Sequence, residues 1–174
     1  MWIEPTPGYS PVIGRLVCML TYARERTLAA VDGLTVSALD FQYDAKSNSI
    51  GALLAHVVAV ERAFQILSFE NRELSAAELV VWQPALDLGT VGRERLVGQP
   101  VQHYADQLAV LRRATLAALC ERDDAWLEQA LPAAPELNAH WAWFHVVEDE
   151  TSHRGQIQWL KARMTSSLSA ARVP

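Results

Sequence analysis

Lysine is nearly missing from this chain: Lys46 and Lys161 are the only two among 174 residues. With arginine counted, 15 basic side chains stand against 20 acidic ones, for a net charge of −5. That balance excludes nucleic acid as the main partner and leaves no polybasic cluster to hold a membrane surface. Cysteine is as scarce. Cys18 and Cys120 form neither a disulfide framework nor a metal-ligand spacing, and both fall in apolar helical patterns where buried, reduced thiols are expected. Long apolar runs are lacking too: Ile50 to Val60 is interrupted by His56 and reads as too short to span a bilayer. No segment of any length alternates with strand period, and there is no internal repeat or low-complexity tract. Glu4 and the prolines Pro5, Pro7 and Pro11 make the N-terminus unlike a signal peptide. The expectation is a soluble, cytoplasmic protein forming a single domain over residues 1–174, long enough to bury a substantial core.

What is present is helical periodicity. Residues 1–10 read as an extended arm. Ser10-Pro11 then places a cap and a proline at the start of a first helix, which should run to about Val31, where Asp32-Gly33 stops it. Val12, Leu16, Met19, Leu20 and Ala23 form its core stripe, and Arg15, Arg24, Glu25 and Arg26 take the solvent side. A second helix starts at Ser47 to Ser49 and ends near Glu70 or Asn71. Residues 72–100, with Gly89, Gly92, Gly98, Pro84 and Pro100, read as a long excursion with a short helix over Ala76 to Trp82. Connections of this length commonly wall a functional site. The third helix turns Tyr104, Leu108, Leu111, Thr115 and Leu119 inward and leaves Arg112 and Arg113 mostly outside. Asp123-Asp124 can cap a brief segment over Ala125 to Leu131. Asn138 caps a last long helix that should reach Met164, with a frayed tail from Thr165. The fold class expected is all-α: a four-helix bundle with a long connection between helices two and three.

The last helix carries the chemistry. Val146, Asp149, His153, Ile157, Leu160 and Met164 recur at helical spacing and form one stripe. Asp149 and His153 therefore sit one turn apart on an otherwise apolar face, offset by ~40° and ~6 Å. A buried carboxylate is costly unless something pairs with it. His56 occupies a comparable place among Leu53, Val60, Phe64 and Leu67 on helix two. Two imidazoles and a carboxylate converging in a helical core suggest a metal site. Two other readings stand beside it. His145 with Asp149 is a rival pair of the same spacing, and the three residues could form a hydrogen-bonded core cluster without metal. Glu150 to His153 has the Glu-x-x-His spacing of di-iron bundles, but helix two lacks a matching motif after Glu61.

The wording around these residues adds to their spacing. His153-Arg154-Gly155-Gln156-Ile157 resembles the signature of the DinB-like superfamily, four-helix bundles with a metal site between helices two and four. Ile50 to His56, followed by Glu61, is similar to that superfamily's helix-two histidine segment. The resemblance extends over nearly the whole chain. Many members carry His at the place of Asp149, whereas a branch containing mycothiol-dependent maleylpyruvate isomerase carries a carboxylate. His145 to His153 is similar to that branch, with the shorter Asp in place of its Glu.

The resemblance implies His56, Asp149 and His153 as protein ligands of one divalent ion, with positions open for water or substrate. Two histidines and a carboxylate suit zinc, iron(II) or nickel(II). It implies a metal-dependent enzyme acting on a small molecule, either a low-molecular-weight-thiol-dependent transferase or a hydrolase. The alternative is a non-catalytic metal- or small-ligand-binding protein. Gln156 and Thr151 are candidates to support the ligands, and Glu61 to orient an imidazole through its other nitrogen. Gly155 reads as permitting close helix packing. Trp141, Trp143 and Trp159 read as core or interface mass, with room for one to line a pocket. Six tryptophans and a 51% hydrophobic composition, in a superfamily whose members are often dimers, lead to the expectation of a homodimer sharing aromatic surface.

Overall fold

The computed structural model describes residues 2–170, with side chains to residue 164. In chain order the elements are α1 (Pro11–Val31), α2 (Val36–Leu39), α3 (Ile50–Phe69), α4 (Ala76–Asp87), α5 (Gly89–Arg95), α6 (Val101–Cys120), α7 (Asp124–Leu127), β1 (Ala130–Leu131), β2 (Ala134–Asn138) and α8 (Ala139–Ala170). The four long helices α1, α3, α6 and α8 form the bundle. Helix α3 packs on both α8 and α6, while α1 lies chiefly on α8. The expected all-α class holds, with one small departure: β1 and β2 pair antiparallel as a short hairpin ahead of α8.

Local chemistry sets most of the helix boundaries. The Ser49 hydroxyl accepts the Ala52 amide and starts α3. Asn138 Oδ1 accepts the Trp141 amide at the start of α8, as its position predicts. Ser75 and Glu78 form a reciprocal capping box on α4. The start of α1 is capped differently from the expectation. Ser10 makes no cap bond to its own helix; instead Asp124 Oδ1 accepts the amides of Val12 and Ile13 and the Ser10 hydroxyl. A residue 114 positions away in sequence thus supplies the orphan amides with their acceptor.

The excursion is more ordered than a loop. Helix α4 runs five residues past the expected Trp82, through Pro84, to Asp87. Leu88 then turns the chain with φ +55°, and α5 follows. The segment after Asp123 is shorter than expected, four residues in α7. Helix α8 continues beyond the expected end at Met164 to Ala170; residues 171–174 of the expected tail lie outside the described residues.

By length and composition α3 is long and apolar enough to cross a membrane, contrary to the short run read from sequence. In the bundle it is the central core helix, with 72% of its most apolar window buried. Two large apolar clusters fill most of the core, beside a small one of Leu131, Ala139 and Ala142. One joins Val31, Leu53, Leu54, Val57, Leu108, Ile157 and Leu160; the other joins Ile13, Leu16, Leu20, Leu119, Trp143 and Val146. Trp143 is fully buried, stacks on Phe69 at 4.9 Å, and donates its indole N–H to Ser68 Oγ at 3.1 Å. Trp143→Ala should therefore cost about 3–5 kcal/mol, as large aromatic truncations in packed cores do, read as a drop in the urea midpoint. Val12, expected in the core stripe, is 38% exposed. Cys18 is half-buried and Cys120 is exposed, so neither is the buried thiol expected.

Candidate metal centre

The stripe on α8 turns Asp149 and His153 toward α3, and α3 presents His56 to them. Asp149 Oδ1 lies 3.4 Å from His56 Nε2 and 3.3 Å from His153 Nε2. One donor atom from each residue lies within 4.8 Å of the other two. The side chains are 11–14% exposed, and the imidazoles meet edge to face with centroids 4.7 Å apart. Among the described residues, this is the cluster of His, Cys, Asp and Glu that could hold a metal ion.

Each imidazole is held from behind. A carbonyl oxygen can only accept, so His56 Nδ1, 2.8 Å from Ala85 O, carries the proton and donates. That carbonyl belongs to the last turn of α4, where the final carbonyls have no helical partner of their own. His153 Nδ1 lies 3.3 Å from Gln156 Oε1, again an acceptor. Both bonds leave the Nε2 lone pairs directed at the carboxylate. Two lone pairs and an anion converge on one spot, an arrangement that calls for a cation, either proton or metal. The direction of the shifts agrees. Burial works against charge on His56, but the Asp149 hydrogen bond and the Ala85 carbonyl outweigh it and raise its pKa above the usual value. Burial would lift Asp149, but the hydrogen bonds and charges of His153 and His56 hold it well below the usual carboxylate range.

One further observation tests the fit to a metal. Asp149 Oδ2 is buried and has no hydrogen-bond partner, although buried carboxylate oxygens are normally satisfied. Two imidazole Nε2 atoms and a carboxylate with one oxygen unused form a donor set suited to a divalent transition ion. The residues fit the group.

The model of a family described as mycothiol-S-transferase matches residues 15–166, which include all three of these side chains. The chain belongs to this family. No curated protein matches the chain significantly. The mycothiol-S-transferase family is DinB-like, in agreement with the resemblance carried by His153 to Ile157.

Within this mycothiol-S-transferase fold the rival assignments fall elsewhere. His145 stacks on Trp141 with centroids 5.0 Å apart and pairs with Glu148 at 3.2 Å; it is not part of the cluster. Thr151 is exposed and lines a separate groove beside Trp2 and Cys18, so it does not support the cluster. Gln156 does, through His153. Glu61 does not orient an imidazole. It is fully buried and belongs, with Glu150, to an ion network the sequence reading missed.

That network joins all four long helices. Arg24 Nη2 donates to Glu61 Oε2 at 2.7 Å and Arg24 Nε to Glu150 Oε1 at 2.8 Å. Arg112 Nε donates to Glu61 Oε1 at 2.8 Å and Arg112 Nη2 to Glu150 Oε2 at 3.2 Å. The Thr115 hydroxyl donates to Glu61 Oε1 at 2.7 Å, and Gln65 donates to Thr115. Arg24 and Arg112, expected on the solvent side, are 7% and 6% exposed. A signal was available. Arg24 lies four residues from Leu20, Arg112 four from Leu108, Glu61 four from Val57 and Glu150 four from Val146, so all four sit on apolar stripes and their charges sum to zero.

Beside the metal-type cluster is a cavity of about 480 Å³, walled by Leu53, Gly155, Gln156 and Trp159 among others. Trp159 lines this cavity, and Trp141 lines a smaller groove beside Glu128 and Asn138. Gly155 permits no close helix packing, since a Cβ added there meets nothing within 4 Å. Gly155→Ala should consequently stabilise α8 by about 0.5–1 kcal/mol, the ordinary helix-interior difference, read as a raised melting temperature.

Proposed function

We propose that this chain is a metal-dependent S-transferase that adds a low-molecular-weight thiol to a small electrophile, with His56, Asp149 and His153 as the protein ligands of one divalent ion. The observation that carries the reading is the convergence of these three side chains beside an open cavity in a chain of the mycothiol-S-transferase family. The family's description supports mycothiol as the thiol. Zinc, nickel(II) and iron(II) are all compatible with the donor set. When bound, the ion would lower the pKa of a thiol and favour the nucleophilic thiolate at neutral pH.

The protein's own part is orientation and charge. The Ala85 carbonyl and Gln156 fix both imidazoles with Nε2 inward, so little reorganisation accompanies ligation. Asp149 contributes one negative charge, so the ion and its protein ligands keep a net positive charge that favours an anionic sulfur. The low exposure of the three side chains limits competing water.

The test is thiol consumption by metal-loaded protein with mycothiol and a panel of electrophiles, against the same protein after chelation. The expected result is metal-dependent loss of free thiol with formation of the thioether, retained by His145→Ala and lost in His153→Ala. Metal-loaded protein that binds thiol but never turns over would support the non-catalytic binding alternative instead.

A further inference from the structure

The cavity beside the cluster has a composition that selects its occupant. Its floor is apolar, from Leu53 on α3 and Leu160 on α8. One wall is the Trp159 ring, held in place edge to face by Tyr43 at 4.9 Å and capped by the Arg163 guanidinium at 4.6 Å. A flat, fixed aromatic wall over aliphatic floor favours a planar apolar ligand. None of the lining side chains is charged.

Two oxygens at the rim are open to a ligand donor. The Ser47 hydroxyl already gives its proton to Asp44 Oδ1 at 2.9 Å, so it faces the cavity with lone pairs. Asn48 Oδ1 is buried and has no partner. An unpaired buried oxygen is a standing cost that a ligand donor relieves. A carboxylate brings only acceptors and so pairs with neither the Asn48 Oδ1 nor the Ser47 oxygen. The cavity also adjoins the reacting position: Gln156 lines it and holds His153, Leu53 stands one turn before His56, and Ser152 and Gly155 flank His153 on α8.

We infer that this cavity binds a neutral, planar aromatic molecule bearing one O–H or N–H donor, read by Asn48, as the second substrate of the transferase. Calling it the second substrate rests on the thiol-transfer reading; the binding itself does not. Gly155 sets the depth available, because its missing side chain leaves the rim open.

The experiment is equilibrium dialysis of the metal-loaded full chain with three dead-end probes: 1-naphthol, 1-methoxynaphthalene and 1-naphthoate. Wild type should bind 1-naphthol about tenfold more tightly than its methyl ether, the ratio one net hydrogen bond supports, and should reject the naphthoate. Asn48→Leu, which keeps the branched shape and removes the acceptor, should bring the first two probes to equal affinity. Gly155→Leu should remove saturable binding of both while its metal content and helical signal stay at wild-type levels. Equal affinities in wild type, an unchanged ratio in Asn48→Leu, full binding by Gly155→Leu, preference for the naphthoate, or no binding by wild type would each overturn the inference. Failure of the thiol-transfer reading looks different: probe binding would persist in a protein that never consumes thiol.

Discussion

Glu61→Ala is expected to destabilise the bundle by about 3–5 kcal/mol, the cost typical of removing one partner from a buried ion cluster. Against a total stability of about 5–15 kcal/mol for a domain, that places the variant close to unfolding at ambient temperature. The reason is charge accounting in a dry place. Arg24 and Arg112 remain almost wholly buried, with Glu150 as the single carboxylate between them, and the Thr115 hydroxyl loses its acceptor. Replacing all four charged residues together, with Met for the arginines and Leu for the glutamates, should cost far less, because no uncompensated charge remains. Chemical denaturation of the two variants separates the effects: a large fall in midpoint for the single change and a small one for the quadruple.

The same network sets the acid behaviour. Burial opposes the charge on Glu61, but Arg112 and Arg24 outweigh it, and its pKa lies below the usual glutamate value. A carboxyl with a depressed folded pKa contributes stability that is complete above its unfolded pKa, near 4.3, and is lost as pH falls through the folded one. Wild type should therefore lose stability on acidification below about pH 4 with a steeper slope than the quadruple variant. Equal acid slopes would contradict the assignment.

The second large effect concerns the metal. His56→Ala, Asp149→Ala and His153→Ala should each abolish stoichiometric binding of a divalent ion, since each removes one of three protein ligands and no neighbouring side chain can replace it. Metal stabilises only the folded state that binds it, by about 4 kcal/mol at a free concentration a thousandfold above Kd. Wild type should then show a melting temperature that falls on chelation, and the three alanine variants should melt at the chelated value. Asp149→Glu and Asp149→His should keep a chelator-sensitive melt, because each of those residue types also offers one metal donor. His145→Ala should behave as wild type, since that ring is stacked on Trp141 away from the cluster. A chelator-sensitive His153→Ala protein would remove His153 from the ligand set.

Much of this was legible because a helix repeats every 3.6 residues. The spacing from Val146 to Met164 put Asp149 and His153 on the buried face, and the same spacing on α3 put His56 there. Capping chemistry placed Ser49 and Asn138 at helix starts. What escaped depended on contacts distant in sequence. Asp124 caps a helix whose N-cap residue, Ser10, lies 114 residues earlier, and Ala85 orients an imidazole 29 residues before it. From sequence, Arg24 and Arg112 read as solvent-facing because isolated charges belong there. Their places on apolar stripes depend on Glu61 and Glu150 opposite them. Gly155 was read through the common use of glycine at close helix contacts, whereas here it borders open space.

The central claim is that His56, Asp149 and His153 hold one divalent metal ion. It is tested most directly by elemental analysis of untagged protein purified without an immobilised-metal column, reconstituted with one equivalent each of zinc, nickel(II) and iron(II) and then desalted. Wild type and His145→Ala are predicted to retain one ion per chain, and His153→Ala none. Metal-free wild type after reconstitution, or equal retention by His153→Ala, would contradict the account and leave the three residues as a buried hydrogen-bonded cluster.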